Sequence, residues 1–198
     1  DLPGFGKSTI PTVALSIIDY TEVIYKFLNK LKIKKPILIG HSFGGRIVII
    51  LLGYFKYNAN RVILINGAGI KPKRSLLYYI KIYTYKSLKI LKHCMSKHIS
   101  KIYLNKLRSI FGSSDYNNVN DVMKRTLSLI VNNDLRKYLN QILVPTLLIW
   151  GDNDNITPIR DALIMQRYIP DSGLVILKDA GHYAYIDKYY EFKLILIY

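Results

Sequence analysis

Four short runs of β-branched and leucine residues punctuate the chain at positions 36–40, 61–65, 146–150 and 174–177. None alternates apolar with polar side chains, which is the pattern of a strand covered on both faces. Between them lie apolar positions at helical spacing. Residues 19–31 carry Val23, Ile24, Phe27, Leu28 and Leu31 in that rhythm. Residues 43–55 are apolar nearly all round, as in a central helix, and 161–168 form a third helical segment. Strands that alternate with helices predict an α/β fold with a mainly parallel sheet flanked by helices.

The stretch 71–140 breaks this rhythm. It holds no convincing strand and reads as helices over 75–95, 99–110 and 119–131, with a turn-rich loop at 111–118. An all-helical insertion between two strands is expected to be a cap set into a sheet domain. The predicted division is therefore a core of 1–70 and 141–198 and a helical cap of 71–140.

Composition changes this picture little. With 198 residues, half of them hydrophobic, the chain is long enough for the core of one domain and too short for two large ones. The formal charge of +16 could serve a nucleic-acid or anionic surface. The lysines are spread along the chain, however, and no nucleic-acid motif accompanies them. A codon bias toward Lys, Asn, Ile and Tyr accounts for the charge, and no nucleic-acid partner is expected. The segment 74–97 mixes Leu, Ile and Tyr with Lys, as an interfacial helix does. It reads first as the solvated face of a cap helix, so a membrane partner is not expected either. Cys94 is the only cysteine and cannot form an internal disulfide, which fits the cytoplasm. There is no signal peptide and no apolar run of membrane-spanning length.

The candidate chemistry sits where strands end. Gly40-His41-Ser42-Phe43-Gly44 fits G-x-S-x-G, directly after one predicted strand and directly before the apolar helix. A serine on such a turn is held clear of the backbone, and the tightness of the turn requires small neighbours, which Gly40 and Gly44 would supply. Gly45 would let the helix approach the sheet. The backbone N–H of Phe43, first in the helix, is placed to donate to an oxyanion. A serine hydroxyl needs a base, and the base needs an orienting carboxylate. Asp152 and Asp154 both follow the third strand. Among four histidines, only His182 lies in a glycine-containing loop after a strand. His41 adjoins the serine and is expected to pack or line the pocket. His93 and His98 fall on Lys-rich segments of the insertion.

At these residues the chain resembles the α/β-hydrolase fold family. Asp1-Leu2-Pro3-Gly4-Phe5-Gly6-Lys7-Ser8 is similar to the loop after the fourth family strand, and Gly40 to Gly45 to the nucleophile elbow after the fifth. Gly151-Asp152-Asn153-Asp154 resembles the G-x-x-D loop whose last residue is the triad acid, and Ala180-Gly181-His182 the segment bearing the catalytic histidine. The resemblance thus implies a Ser42, Asp154 and His182 triad, and it selects Asp154 over Asp152. It also implies a serine hydrolase acting on a small-molecule acyl substrate, a carboxylic ester first of all, with no metal or organic cofactor. Ser42 sets the chain apart from the epoxide hydrolases and haloalkane dehalogenases of the fold, which carry Asp there. C–C bond hydrolases, aminopeptidases, perhydrolases, acyltransferases, a membrane-surface lipase and a non-catalytic member are the other readings. Two departures stand out. Further strands and a His-Gly loop with the second oxyanion N–H would precede Asp1, so the sequence is expected to be an incomplete gene or a fragment. Losing one oxyanion donor costs about 3–4 kcal/mol in the transition state, and the strand at 37–39 would present an open edge. Tyr189 replaces a proline that often opens the last helix, with a small structural effect expected.

Overall fold

The structure, a computed structural model, describes residues 1–73, 76, 80, 83 and 120–197. Its elements run α1 (Ile17–Lys30), β1 (Ile37–His41), α2 (Phe43–Gly53), β2 (Arg61–Ile65), α3 (Asp121–Asn132), α4 (Arg136–Leu139), β3 (Thr146–Gly151), α5 (Ile159–Tyr168), β4 (Ser172–Leu177), α6 (Ala184–Asp187) and α7 (Tyr189–Ile197). The four strands form one parallel sheet in the order β1-β2-β3-β4. All four predicted strands are present, within two residues of their expected ends. The α/β class with a mainly parallel sheet is as the patterning required.

The apolar runs are continuous because both faces of the sheet are covered. Leu64, Leu148 and Trp150 point to one side and join a core with Ile17 and Tyr20 of α1 and with Ile47, Val48, Ile49, Ile50 and Leu52 of α2. Ile65 and Ile149 point to the other and pack with Ala184 of α6 and with Phe192 and Ile195 of α7. Successive side chains on a strand alternate faces, so a strand buried on both must be apolar throughout. In α2 every residue from Gly45 to Gly53 is buried, which explains why all of them but Arg46 are apolar or glycine.

α1 begins two residues before its expected start, at a capping box. Ser16 Oγ accepts from the Asp19 N–H at 3.3 Å, and the Asp19 carboxylate accepts from the Ser16 N–H at 2.6 Å. Its inward face is Ile17, Tyr20, Thr21 and Leu28. Val23, Phe27 and Leu31, part of the apolar rhythm in the sequence, are exposed instead. They lie one stripe round the helix from the residues that meet α2. β1 is similar: Ile37 and Ile39 are more than half exposed, and among the described residues the strand pairs only with β2.

Within 71–140 the described residues hold α3, α4 and the helical positions Leu76, Ile80 and Tyr83, with no strand. The remainder of the expected helix 75–95, the helix 99–110 and the loop 111–118 lie outside the described residues, as do His93, Cys94 and His98. α3 is capped by Asn120, whose side chain accepts from the Val122 N–H at 2.7 Å. It buries Met123, Thr126 and Ile130 at helical spacing. Thr126 Oγ1 accepts from the Leu15 N–H at 3.0 Å, which ties α3 to the segment before α1. α7 begins at Tyr189, so the absence of proline there does not prevent the helix.

The two-sided core makes a direct prediction. Leu148 is fully buried in β3, between two strands. Leu148→Ala should cost about 2–5 kcal/mol of stability by denaturant unfolding, whereas Leu143→Ala, at a position 76% exposed, should change it by less than about 0.5 kcal/mol.

Candidate functional site

All four strands are parallel, so their C-terminal ends share one rim. Ser42 follows β1, Asn66 follows β2, Asp154 lies in the loop after β3, and His182 lies in the loop after β4. His182 Nε2 is 2.9 Å from Ser42 Oγ, and His182 Nδ1 is 2.8 Å from Asp154 Oδ2. A carboxylate only accepts, so Nδ1 carries the hydrogen and Nε2 presents its lone pair to the serine hydroxyl. The three residues are brought together from 140 residues apart.

Ser42 has φ 49° and ψ −113°, a conformation that costs a non-glycine residue about 1–3 kcal/mol. The turn is held from both sides. The Ser42 N–H donates to the Ile65 carbonyl at 3.2 Å, and its carbonyl accepts from the N–H groups of Gly45 and Ala68. Gly40 is required sterically, since a Cβ there would lie 2.9 Å from the Gly44 backbone. Gly45 is required as well, because a Cβ would lie 2.9 Å from the Cα of Gly67, where α2 passes the loop after β2. Gly44 differs from expectation. A Cβ on it would meet nothing within 4 Å among the described residues, so crowding of the turn does not demand glycine there. The Phe43 N–H, first in α2, has no acceptor among the described residues.

Asp154 is 3% exposed and fully engaged. Oδ1 accepts from the N–H groups of Ile156 and Thr157 at 2.7 and 3.0 Å. Oδ2 accepts from Asn66 Nδ2 and Thr157 Oγ1, each at 2.6 Å, in addition to His182. Burial pushes the carboxyl pKa up, but the hydrogen bonds from Thr157, His182 and Asn66 together outweigh it and hold the group below its ordinary value. Asp152, its rival in the sequence, is exposed, and its carboxylate makes no hydrogen bond or ion pair among the described residues.

Asn66 and Thr157 went unnoticed in the sequence. Asn66 adopts a left-handed φ of 43°, which Asn tolerates better than most residues. Its Oδ1 is buried with no hydrogen-bond partner among the described residues. The signal available was an Asn-Gly pair at a strand's C-terminal end, and for Thr157 a hydroxyl three residues after the acid. His41 packs as expected, with its ring 4.9 Å from that of His182 and 5.3 Å from that of Tyr183. Its Nε2 also lies 2.9 Å from the His182 carbonyl and donates to it, which clamps the histidine loop to the end of β1. A Cβ on Gly151 would collide with the carbonyls of Ala180 and Gly181, so glycine is what lets the acid and histidine loops touch.

Beside Ser42 opens a cavity of about 610 Å³. Phe43, Ile70, Ile130 and Ile156 give it an apolar wall. Phe5 also lines it and stacks on Phe43 at 5.7 Å, with its loop anchored by a hydrogen bond from Tyr20 Oη to the Pro3 carbonyl at 2.8 Å. Among the described residues no group of three or more His, Cys, Asp or Glu stands close enough to hold a metal ion, and no helix is long and apolar enough to cross a membrane.

A sequence profile of the α/β-hydrolase fold matches residues 1–83 and 114–189, most of the chain. The chain belongs to the α/β-hydrolase fold family. It is 24% identical over 214 residues to an uncharacterized protein of Mycobacterium tuberculosis, an overlap of 94% of this chain and 62% of that protein. A monoacylglycerol lipase of Mus musculus is 23% identical over 209 residues, covering 95% of this chain and 62% of the lipase. The chain thus spans about three-fifths of the length of these curated relatives. Among solved structures, an esterase from Exiguobacterium antarcticum superposes with a TM-score of 0.72 at 22% identity, covering all of this chain and 78% of the esterase. That likeness is one of fold.

The lowered pKa of Asp154 has a stability consequence. A carboxyl whose folded-state pKa lies below its unfolded value stabilises the fold above the unfolded pKa, about 3.9. That contribution is lost as pH falls through the folded pKa. Thermal unfolding followed from pH 6 to pH 2 should therefore show a steeper fall in Tm for the wild type than for Asp154→Asn.

Proposed function

We propose that the protein is a serine hydrolase that cleaves a small acyl substrate, a carboxylic ester first of all, with Ser42, His182 and Asp154 as its triad. One observation carries the reading: an unbroken hydrogen-bond relay from a buried, ionised carboxylate through an imidazole to a serine held at a strained turn. Nothing in a purely structural role requires all three features at one cavity.

In this mechanism Ser42 Oγ attacks the ester carbonyl while its proton passes to His182 Nε2. The new Oγ–C bond leaves a negative charge on the carbonyl oxygen. The Phe43 N–H, without another acceptor among the described residues, donates to that oxyanion. Asp154 keeps Nδ1 protonated and stabilises the imidazolium. His182 then returns the proton to the alkoxide as the C–O bond breaks, and an alcohol departs. Water, deprotonated by His182, attacks the acyl-enzyme and releases the acid and the free serine. Asn66 and Thr157 act on the carboxylate, keeping Oδ2 aimed at the imidazole rather than at solvent.

The segment 71–140 is read as a cap over this site. The support is that α3 contributes Leu127, Ile130 and Val131 to the wall of the cavity that Ser42 also lines. An apolar wall of this size suits a short acyl or aryl group.

Hydrolysis of 4-nitrophenyl butyrate tests the reading. Ser42→Ala should reduce kcat to background. Asp154→Asn, which favours the wrong imidazole tautomer, should lower kcat by about three to four orders of magnitude with a smaller change in KM. Wild-type turnover that survives Ser42→Ala would place the chemistry elsewhere.

A further inference from the structure

Arg46 lies in the first turn of α2, four residues after Ser42, and lines the same cavity. It is 4% exposed, although arginine is almost never fully buried without an anionic partner. Its single hydrogen bond among the described residues runs from Nη1 to the backbone carbonyl of Asn133, at 2.8 Å. A carbonyl is a neutral acceptor, and a guanidinium has five N–H groups to satisfy. Two carboxylates act on it through space, Asp134 and Asp161, but each is engaged by another residue. Arg136 holds Asp134 at 2.8 Å, and Arg160 holds Asp161 at 2.8 Å. Burial draws the Arg46 pKa down to about 10, which still leaves it charged at neutral pH. Among the described residues, the charged groups of the cavity wall are Arg46, Arg160 and Lys73 against the one carboxylate of Asp161, which Arg160 already occupies. Lys73 is exposed at the rim, with no ion pair among the described residues.

We propose that Arg46 binds a carboxylate carried by the acyl part of the substrate, so that the preferred substrate is a half-ester of a short dicarboxylic acid. This rests on the acyl-transfer reading of Ser42 and deepens it. Ser42 and Arg46 line one cavity, and four residues of α-helix rise only about 6 Å, so a short substrate can span both. A planar guanidinium with unused N–H groups takes a carboxylate by two parallel hydrogen bonds. The bound anion supplies a direct partner that Arg46 lacks among the described residues, and Lys73 at the rim attracts it on entry. Pairing inside a cavity with an apolar wall discriminates strongly, because a neutral substrate would leave the cation unpaired.

The test compares 4-nitrophenyl hydrogen adipate with its methyl-capped form, 4-nitrophenyl methyl adipate, on the wild type, Arg46→Gln and Arg46→Lys. The wild type should favour the anionic ester by about tenfold or more in kcat/KM, through KM. Arg46→Gln should bring that ratio to one or below, and Arg46→Lys should keep part of it. The ratio isolates the charge, since damage to folding or to the triad lowers both esters alike. A wild-type ratio near one, or a ratio untouched by Arg46→Gln, overturns the proposal and leaves Arg46 as a tie between α2 and Asn133. A second arm needs no turnover: adipate binding to Ser42→Ala by calorimetry, which Arg46→Gln should weaken by about tenfold or more. If neither ester is hydrolysed yet adipate binds in an Arg46-dependent way, the acyl-transfer reading fails and the carboxylate site stands. If both esters are hydrolysed and adipate does not bind, the carboxylate site fails alone.

Discussion

The shared rim of the parallel sheet is the constraint from which the rest follows. Strands that run the same way and pair in register must all end on the same edge, so the loops leaving β1, β2, β3 and β4 have to meet there. Residues 42, 66, 154 and 182 are thereby delivered to one place without any helix or loop having to reach across the fold. The general rule that open α/β sheets bind ligands beyond the carboxyl ends of their strands has this same origin. The sheet itself persists because both of its faces are covered, by α1, α2 and α5 on one side and by α6 and α7 on the other.

Two further conditions convert proximity into an aligned relay. Close approach is the first. Gly45 lets α2 pass the loop after β2, and Gly151 lets the acid loop touch the carbonyls of Ala180 and Gly181. Complete satisfaction of the buried carboxylate is the second. Asp154 accepts five hydrogen bonds, two of them from backbone N–H groups of its own loop. Those bonds outweigh the cost of burial, so the group is kept ionised in a place where an unpaired carboxylate would be neutral.

Much of this was legible in the sequence because it depends on local pattern. Doubly covered strands must be apolar throughout, and the runs at 62–65 and 147–150 are. The strained serine, the strand-end aspartate and the glycine-flanked histidine each carry a signature in their immediate neighbours. Most of what escaped notice depends on residues far apart in the chain. Asn66 is an ordinary polar residue until the pairing of β2 with β3 brings it to Asp154, whereas Thr157 is local but carries no motif beyond a hydroxyl three residues after the acid. Arg46 is a lone cation in an apolar helix, and its place in the cavity wall is set by the loops and helices that enclose it. The stripe Val23, Phe27 and Leu31 obeys the helical period, yet period alone does not say which of two adjacent apolar stripes meets a neighbour. Gly44 fits the elbow motif although, among the described residues, the crowding that motivates glycine is absent at that position.

The central claim is that the relay activates Ser42 as a nucleophile. Fluorophosphonate labelling followed by peptide mapping tests it without any assumption about substrate. The account predicts one covalent adduct per chain, located on Ser42 and lost when His182 is replaced by Ala. A folded protein that takes up no label, or that carries it on another residue, would contradict the account.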